Sequence, residues 1–268
     1  MRAEMDRALT GEWRVRGVSV RGYRHVRDGK PCQDAHGHSV TGPPDDRVTV
    51  LAVADGAGSR RLSDKGSALA VRLATGRFGR LCAGRSEERD VRGLLFEGLE
   101  DVRRSFLTET GAAAADHATT LTVVVLTRAW LGYLTVGDGF AVLRAGDEGG
   151  ERQFHLLPQA DAVSEYGNET VFLSSNDATA KARAECVRDP GVDGMFLSTD
   201  GLAQAALTRA SGASQRPNSS FATGMLRSLD AARADLDEDD RKLTTYLSSD
   251  QLTRLNGDDK TVLRAVRL

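Results

Sequence analysis

Three apolar runs in this chain stop at an Asp-Gly pair. Val50 to Ala54 leads into Asp55-Gly56, Leu134 to Val136 leads through Gly137 into Asp138-Gly139, and Met195 to Thr199 leads into Asp200-Gly201. A fourth acidic pair, Asp258-Asp259, stands just before the closing run Thr261 to Val266. Buried strands that each end in a carboxylate can gather those carboxylates at one sheet edge. Gathered carboxylates repel, and a hard divalent cation with oxygen ligands, Mg2+ or Mn2+, relieves that repulsion. Asp55, Asp200 and Asp258 are the ligands proposed by this spacing. Gly56 offers its carbonyl, because a residue without a Cβ lets the backbone approach closely. A two-ion site of this kind holds its metals about 3.5–4 Å apart, lowers the pKa of a bound water and offsets charge on a phosphoryl oxygen. Asp-Gly is also a common turn dipeptide, so spacing alone leaves a turn reading and a metal reading both open.

The elements that must position these residues follow from hydrophobic period. Strands are predicted over Trp13 to Val20 and Asp34 to Val40, with a buried one over Arg47 to Ala54. Ser63 is placed as the cap of a helix running to about Leu81, and Ser86 as the cap of the next. In that second helix Val91, Leu95, Leu99, Val102 and Phe106 fall on one face. Strands over Thr119 to Thr127, Trp130 to Val136, Phe140 to Arg144 and near Phe154 to Leu157 then come in succession. A polar stretch, 158–190, separates them from the strand Gly194 to Ser198. Helices near Leu202 to Thr208, Ser220 to Ala234 and Asp239 to Ser248 precede a last strand, Lys260 to Arg267. Helices are grouped in two places and strands in runs. That grouping predicts an α+β fold of antiparallel sheets, satisfied by a four-layer α/β/β/α sandwich rather than a doubly wound parallel sheet.

The 268 residues suffice for one large domain, and with 40% hydrophobic and 28% charged residues the chain reads as an ordinary globular protein. A formal net charge of −2 gives no global field to recruit nucleic acid or an acidic membrane. No apolar stretch approaches the roughly 18 residues of a membrane span. The charged start, Met1 to Arg7, lacks the apolar core of a signal peptide. Cys32, Cys82 and Cys186 lie far apart with no CxxC pair, which disfavours structural zinc and a disulfide framework. A cytoplasmic location is expected.

At the acidic positions the chain resembles the type 2C Ser/Thr protein phosphatases of the metal-dependent PPM family, bacterial type, and does so along its whole length in family order. Ser19 to Ala35, with Pro31-Cys-Gln-Asp-Ala35, resembles the opening motif, and Asp55-Gly-Ala-Gly-Ser59 the DGxGG signature. Thr119-Thr-Leu121 resembles the strand after the two long helices, Gly137-Asp-Gly139 the central GD motif, and Ser198-Thr-Asp-Gly201 the late S-x-DG motif. Asp258-Asp-Lys-Thr261 resembles the terminal DN-x-T motif, with Asp for Asn at the second place. The resemblance implies one phosphatase domain over 1–268, with a two-ion Mn2+ or Mg2+ centre between the sheets and a flap at 158–190. It implies that Asp55 bridges the ions, Gly56 gives a carbonyl oxygen, Asp200 and Asp258 bind the second ion, and Asp34 is the acidic residue of the first motif. It implies that Asp138 helps hold a third, weaker ion. The implied reaction is hydrolysis of phosphoserine or phosphothreonine in proteins by metal-activated water, with a Ser/Thr kinase and its targets as the natural counterparts.

The departures are specific. Gln33 stands where some members carry Glu, Ala57 where some carry a His proposed as general acid, and Gly29 where many carry a phosphate-clamping Arg. Arg27 and Lys30 are the phosphate-binding candidates, with Arg24 and His25 in the same loop. These departures keep a second reading open, a phosphatase-like module that binds phosphoprotein without turnover. Asp235 to Asp240 looks like a calcium loop, but it has Asp240 where the loop needs Gly and Tyr246 where it needs Glu. It reads as a solvated helix start. Cys32 has no histidine partner evident in sequence and is not expected to be a nucleophile.

Overall fold

Strands that are apolar at nearly every position must be covered on both faces, and this chain builds its layers around such strands. The computed structural model describes residues 11–146, 151–159, 170–209, 215–231 and 235–268. In chain order it runs β1 (Trp13–Val20), α1 (Tyr23–Arg27), β2 (Asp34–Thr41), β3 (Val48–Asp55), α2 (Ser63–Cys82), α3 (Val91–Thr110), β4 (Leu121–Leu126), β5 (Leu131–Val136), β6 (Phe140–Gly146) and β7 (Arg152–Leu156). There follow α4 (Ala178–Lys181), β8 (Arg183–Val187), β9 (Val192–Ser198), α5 (Ala203–Ala206), β10 (Leu207–Arg209), β11 (Gln215–Pro217), α6 (Ser219–Arg227), α7 (Leu236–Leu247), α8 (Asp250–Leu255) and β12 (Lys260–Arg267). One five-stranded sheet has the order β1-β12-β9-β6-β7 and the other β2-β3-β4-β5-β8, with β10 and β11 forming a small hairpin. All described strand pairs are antiparallel.

Side chains alternate across each strand, so β3 serves two cores at once. Val48, Val50, Ala52 and Ala54 pack with Phe78 of α2 and Leu95, Leu99 and Phe106 of α3. Leu51 and Val53 face the other sheet, where they meet Tyr133, Leu143, Met195, Leu197, Leu263 and Ala265. On the far side Val262 and Val266 of β12 pack with Phe221, Leu226, Leu243 and Leu252 of α6, α7 and α8. Three apolar layers thus separate four layers of structure, as the sequence predicts. Each fully buried Leu or Val contributes about 1.5–3 kcal/mol to holding them together.

Three local expectations change and a fourth holds. Ser63 is the first helical residue of α2, not its cap; its hydroxyl donates to the Arg60 carbonyl at 3.1 Å. Ser86 does not cap α3, because its hydroxyl is taken by the Asp46 carboxylate; Asp90 caps instead, accepting from the Gly93 N–H at 2.9 Å. The polar stretch 158–190 is only partly a candidate flap. Residues 160–169 lie outside the described residues, and Arg183–Val187 is an edge strand paired with β5. Its half-buried Arg183 and Glu185 hid it, since an edge strand needs no apolar run. The Asp235 segment behaves as read: Asp235 caps α7, accepting from the Glu238 N–H at 2.9 Å. Among the described residues no helix is long and apolar enough to cross a membrane.

Candidate functional site

The ends of strands from both sheets meet at one rim of the sandwich. Asp55 closes β3 and sits directly across the ladder from Asp34, which opens β2. From the other sheet, β9 ends at Ser198 just before Asp200, and β12 begins at Lys260 just after Asp258 and Asp259. The two sheets are tied together here, because the Thr199 hydroxyl donates to Asp34 Oδ2 at 2.8 Å. Behind Asp55, its carbonyl accepts from the Thr120 N–H at 2.8 Å and the Thr119 hydroxyl at 2.9 Å. Thr120 Oγ1 accepts from the Asp55 N–H at 2.9 Å. The Thr119-Thr120 pair of the sequence motif is therefore what fixes the backbone of the central carboxylate.

Two glycines of the acidic motifs are demanded by close approach. A Cβ on Gly201 would overlap the carbonyl oxygen of Asp259, so the turn after β9 can press against the start of β12 only without a side chain. A Cβ on Gly56 would lie 2.6 Å from the Ser63 carbonyl oxygen and 2.7 Å from that of Gln33.

The carboxylates perturb one another as a cluster should. Asp34 is buried, and Asp55 and Asp200 are partly so. Burial holds Asp55 well above the ordinary carboxylate range, and the charges of Asp34, Asp200, Asp138 and Asp258 add to it. Burial is also the main cause for Asp34, raised to about 7 although the Thr199 hydroxyl works against it. Asp200 is raised to about 6, by burial first and by Asp138 and Asp258 next. The Asp55 carboxyl lies within hydrogen-bonding reach of both Asp34 and Asp200, so it occupies the middle of the set. Among the described residues, no lysine or arginine makes an ion pair with Asp34, Asp55, Asp138 or Asp200. A set of oxygen donors with no cationic side chain among them fits a hard divalent ion.

These shifts have a definite sign. The unfolded chain loses the carboxyl protons near pH 4, while the folded metal-free chain keeps them to higher pH. The cluster therefore costs nothing below about pH 4, and it destabilises progressively as pH rises through the raised folded values. A thermal melt in EDTA is expected to shift upward between pH 7.5 and 5.5, and Mn2+ at pH 7.5 is expected to restore the loss. A metal-free melting temperature that does not rise on acidification would refute the reading.

Asp138 is exposed, and its Oδ2 accepts from the Thr170 hydroxyl at 3.1 Å. Lys30 reaches the signature loop, its Nζ donating to the Gly58 carbonyl at 2.6 Å. Arg27 is instead engaged by its neighbour, with Nε 2.8 Å from Asp28 Oδ1 on an exposed surface. Arg60 and Arg61 lie on an exposed turn, where Arg61 pairs with Asp116 at 3.3 Å. The Cys32 thiol is pushed up to about 12 by burial and by Asp259 and Asp34, which removes it as a nucleophile.

Two residues of the rim escaped the sequence reading. Asp259 is buried and accepts from the Gly22 N–H at 2.6 Å and the Gln33 N–H at 2.5 Å. It stitches the ends of β1 and β2 to the start of β12. Lys260 is also buried, and its Nζ donates to the Asp258 carbonyl at 3.0 Å. The acidic pair Asp258-Asp259 was visible in sequence, but nothing there says that its second member points inward.

Two face-to-face antiparallel sheets thus gather carboxylates at a shared rim. The chain belongs to the protein phosphatase 2C family, whose model matches residues 21–248, and its activity is hydrolysis of phosphoserine and phosphothreonine in proteins. Solved structures similar to it include the serine/threonine phosphatase Stp1 from Staphylococcus aureus, at 15% identity, covering 97% of each chain with a TM-score of 0.66. Another is the serine-threonine phosphatase 2C from Toxoplasma gondii, at 13% identity over 97% of this chain and 98% of that one, with a TM-score of 0.64. PppA of Pseudomonas aeruginosa is similar at 18% identity over 97% and 99%, with a TM-score of 0.60. At these identities the likeness is one of fold. No curated protein matches the chain.

Proposed function

We propose that this phosphatase works at a two-ion Mn2+ or Mg2+ centre held by Asp34, Asp55, Gly56, Asp200 and Asp258, with Asp138 beside a third, weaker position. The observation that carries this is the set of mutually repelling carboxylates, drawn from both sheets, with no cationic side chain paired to Asp34, Asp55, Asp138 or Asp200 among the described residues. When bound, the ions supply a water acidic enough to attack phosphorus near neutral pH and offset charge on the phosphoryl oxygens. Asp55, between Asp34 and Asp200, would offer oxygens to both ion positions. Asp34 and Asp55 would hold their side of the centre from one sheet, and Asp200 and Asp258 theirs from the other. Lys30, already resting on the signature loop, is the better placed of the two phosphate candidates, since Arg27 must first leave Asp28. Ala57 offers no proton to the departing serine or threonine oxygen, so water supplies it.

The substrates are proteins phosphorylated on Ser or Thr, the products of a kinase of that class. The solved relative from Staphylococcus aureus is itself a serine/threonine phosphatase. The location proposed is the cytoplasm, where Cys32, Cys82 and Cys186, all free, would stay reduced. The whole chain, 1–268, is read as one phosphatase domain, with a flap in the 158–190 stretch outside the edge strand Arg183–Val187.

The test is hydrolysis of p-nitrophenyl phosphate, and of phosphoserine and phosphothreonine peptides, by the purified chain in Mn2+, Mg2+ or EDTA. Turnover with a divalent ion and none in EDTA is expected. Turnover that persists in EDTA would remove the ions from the mechanism.

A further inference from the structure

His25 falls in the stretch of the opening motif but at none of its acidic positions, and the fold buries it beside the carboxylates. The short α1 is pinned to the turn before β12: Gly22 N–H donates to Asp259, and Arg24 N–H donates to the Gly257 carbonyl at 2.9 Å. The Lys30 N–H donates back to the His25 carbonyl at 2.8 Å, closing the loop that follows. These bonds fix the backbone of His25, and its ring lies between the two members of the acidic pair. His25 Nδ1 lies 2.8 Å from Asp259 Oδ2, off the line of a good hydrogen bond, and Nε2 lies 3.9 Å from Asp258 Oδ1. Donor atoms of His25, Asp258 and Asp259 all fall within 4.8 Å of one another. Two donors of a single ion with bonds of about 2.1 Å stand roughly 3.0–4.2 Å apart, whether adjacent or opposite. The separation of Nε2 from the Asp258 oxygen falls in that range.

A second feature points to the same place. Gln33 is only 4% exposed, and its Oε1 has no hydrogen-bond partner. Both Gln33 Oε1 and His25 Nε2 lie 3.9 Å from where a Cβ on Gly58 would stand, so the two flank one gap over the signature loop. An orphaned buried carbonyl oxygen is costly unless something occupies that gap.

We infer that His25 supplies its Nε2 to the ion held by Asp258, with the Asp259 carboxylate 2.8 Å from its other nitrogen. A carboxylate behind a ligating histidine is the usual support for such a ligand. The inference rests on the two-ion reading above and deepens it. It makes one ion position a mixed nitrogen and oxygen site, which discriminates against Mg2+ in favour of a transition metal such as Mn2+.

Pulsed electron paramagnetic resonance of the full chain loaded with Mn2+ is the direct test. A nitrogen coupling to Mn2+ is expected in the wild type and is expected to vanish in His25→Gln. Calorimetry should show Mn2+ affinity falling about tenfold in His25→Gln while Mg2+ affinity changes less than twofold. Wild-type protein that binds Mn2+ and hydrolyses phosphate esters without a nitrogen coupling would overturn the His25 assignment and leave the phosphatase centre standing. Protein that binds neither Mn2+ nor Mg2+ would overturn both. If His25→Gln does not fold, Asp258→Asn serves in its place, with loss of the nitrogen coupling expected and its retention overturning the shared site.

Discussion

Asp55→Asn is expected to abolish metal-dependent hydrolysis, by on the order of 10³-fold, and at the same time to raise the melting temperature of the metal-free protein. Both effects come from one carboxylate. Asp55 sits within reach of Asp34 on its own sheet and Asp200 on the other, and burial plus four neighbouring charges hold it well above its ordinary range. Without an ion, an ionised Asp55 is a repulsive group in a poor solvent. Asparagine removes the charge and keeps the shape. A gain of about 1–2 kcal/mol would raise the melting temperature by several degrees in a chain of this size. The same change takes the central oxygen from the ligand set, so Mn2+ should no longer stabilise the variant. Melts of wild type and Asp55→Asn, each with EDTA and with Mn2+, decide the matter. The idea fails if the variant melts lower than wild type in EDTA or still gains stability from Mn2+.

Asp259→Ala is expected to destabilise by about 3–5 kcal/mol, near 10 °C in melting temperature. The carboxylate accepts two backbone N–H groups from separate strand ends, Gly22 and Gln33, and faces His25 with its second oxygen. Truncation leaves both N–H groups buried without acceptors. Asp259→Asn restores the residue of the family's terminal motif but offers one acceptor where two N–H groups and a ring nitrogen converge. It should lose about 1–3 kcal/mol. Chemical denaturation of both variants in EDTA tests this. Equal stability of Asp259→Asn and wild type would show that the two N–H groups find other partners.

Much of this was legible in the sequence because strand ends are marked chemically. The run of buried Val, Leu and Ala ending in Asp55-Gly56 dictates a strand and its stop, and the same logic found Asp200 and the start of β12 at Lys260. The face of α3, from Val91 to Phe106, followed from its period and is buried throughout. Hidden features depended on partners distant in sequence. Ser86 looks like a cap until Asp46 takes its hydroxyl. The β8 strand has no periodic signature because only an edge position and α3 define it. His25 and Asp259 are 234 residues apart, as their numbers show, and only the pairing of β1 with β12 brings them together. Arg27 was chosen for its charge, but local pairing with Asp28 decides where it points.

The division of the carboxylates between two sheets has a further consequence. Asp34 and Asp55 ride on one sheet, Asp200 and Asp258 on the other, and what sets the distance between them is the thickness of the apolar layer in the middle. That layer contains small residues, Ala141 and Ala265, opposite larger ones such as Leu51 and Tyr133. They act as shims. Exchanging one for a bulkier residue deep in the interior would wedge the sheets apart and spread the carboxylates of the proposed metal site, without altering any of them. In the proposed centre, ion selectivity would then depend on the filling of the sandwich as well as on the residues along its rim.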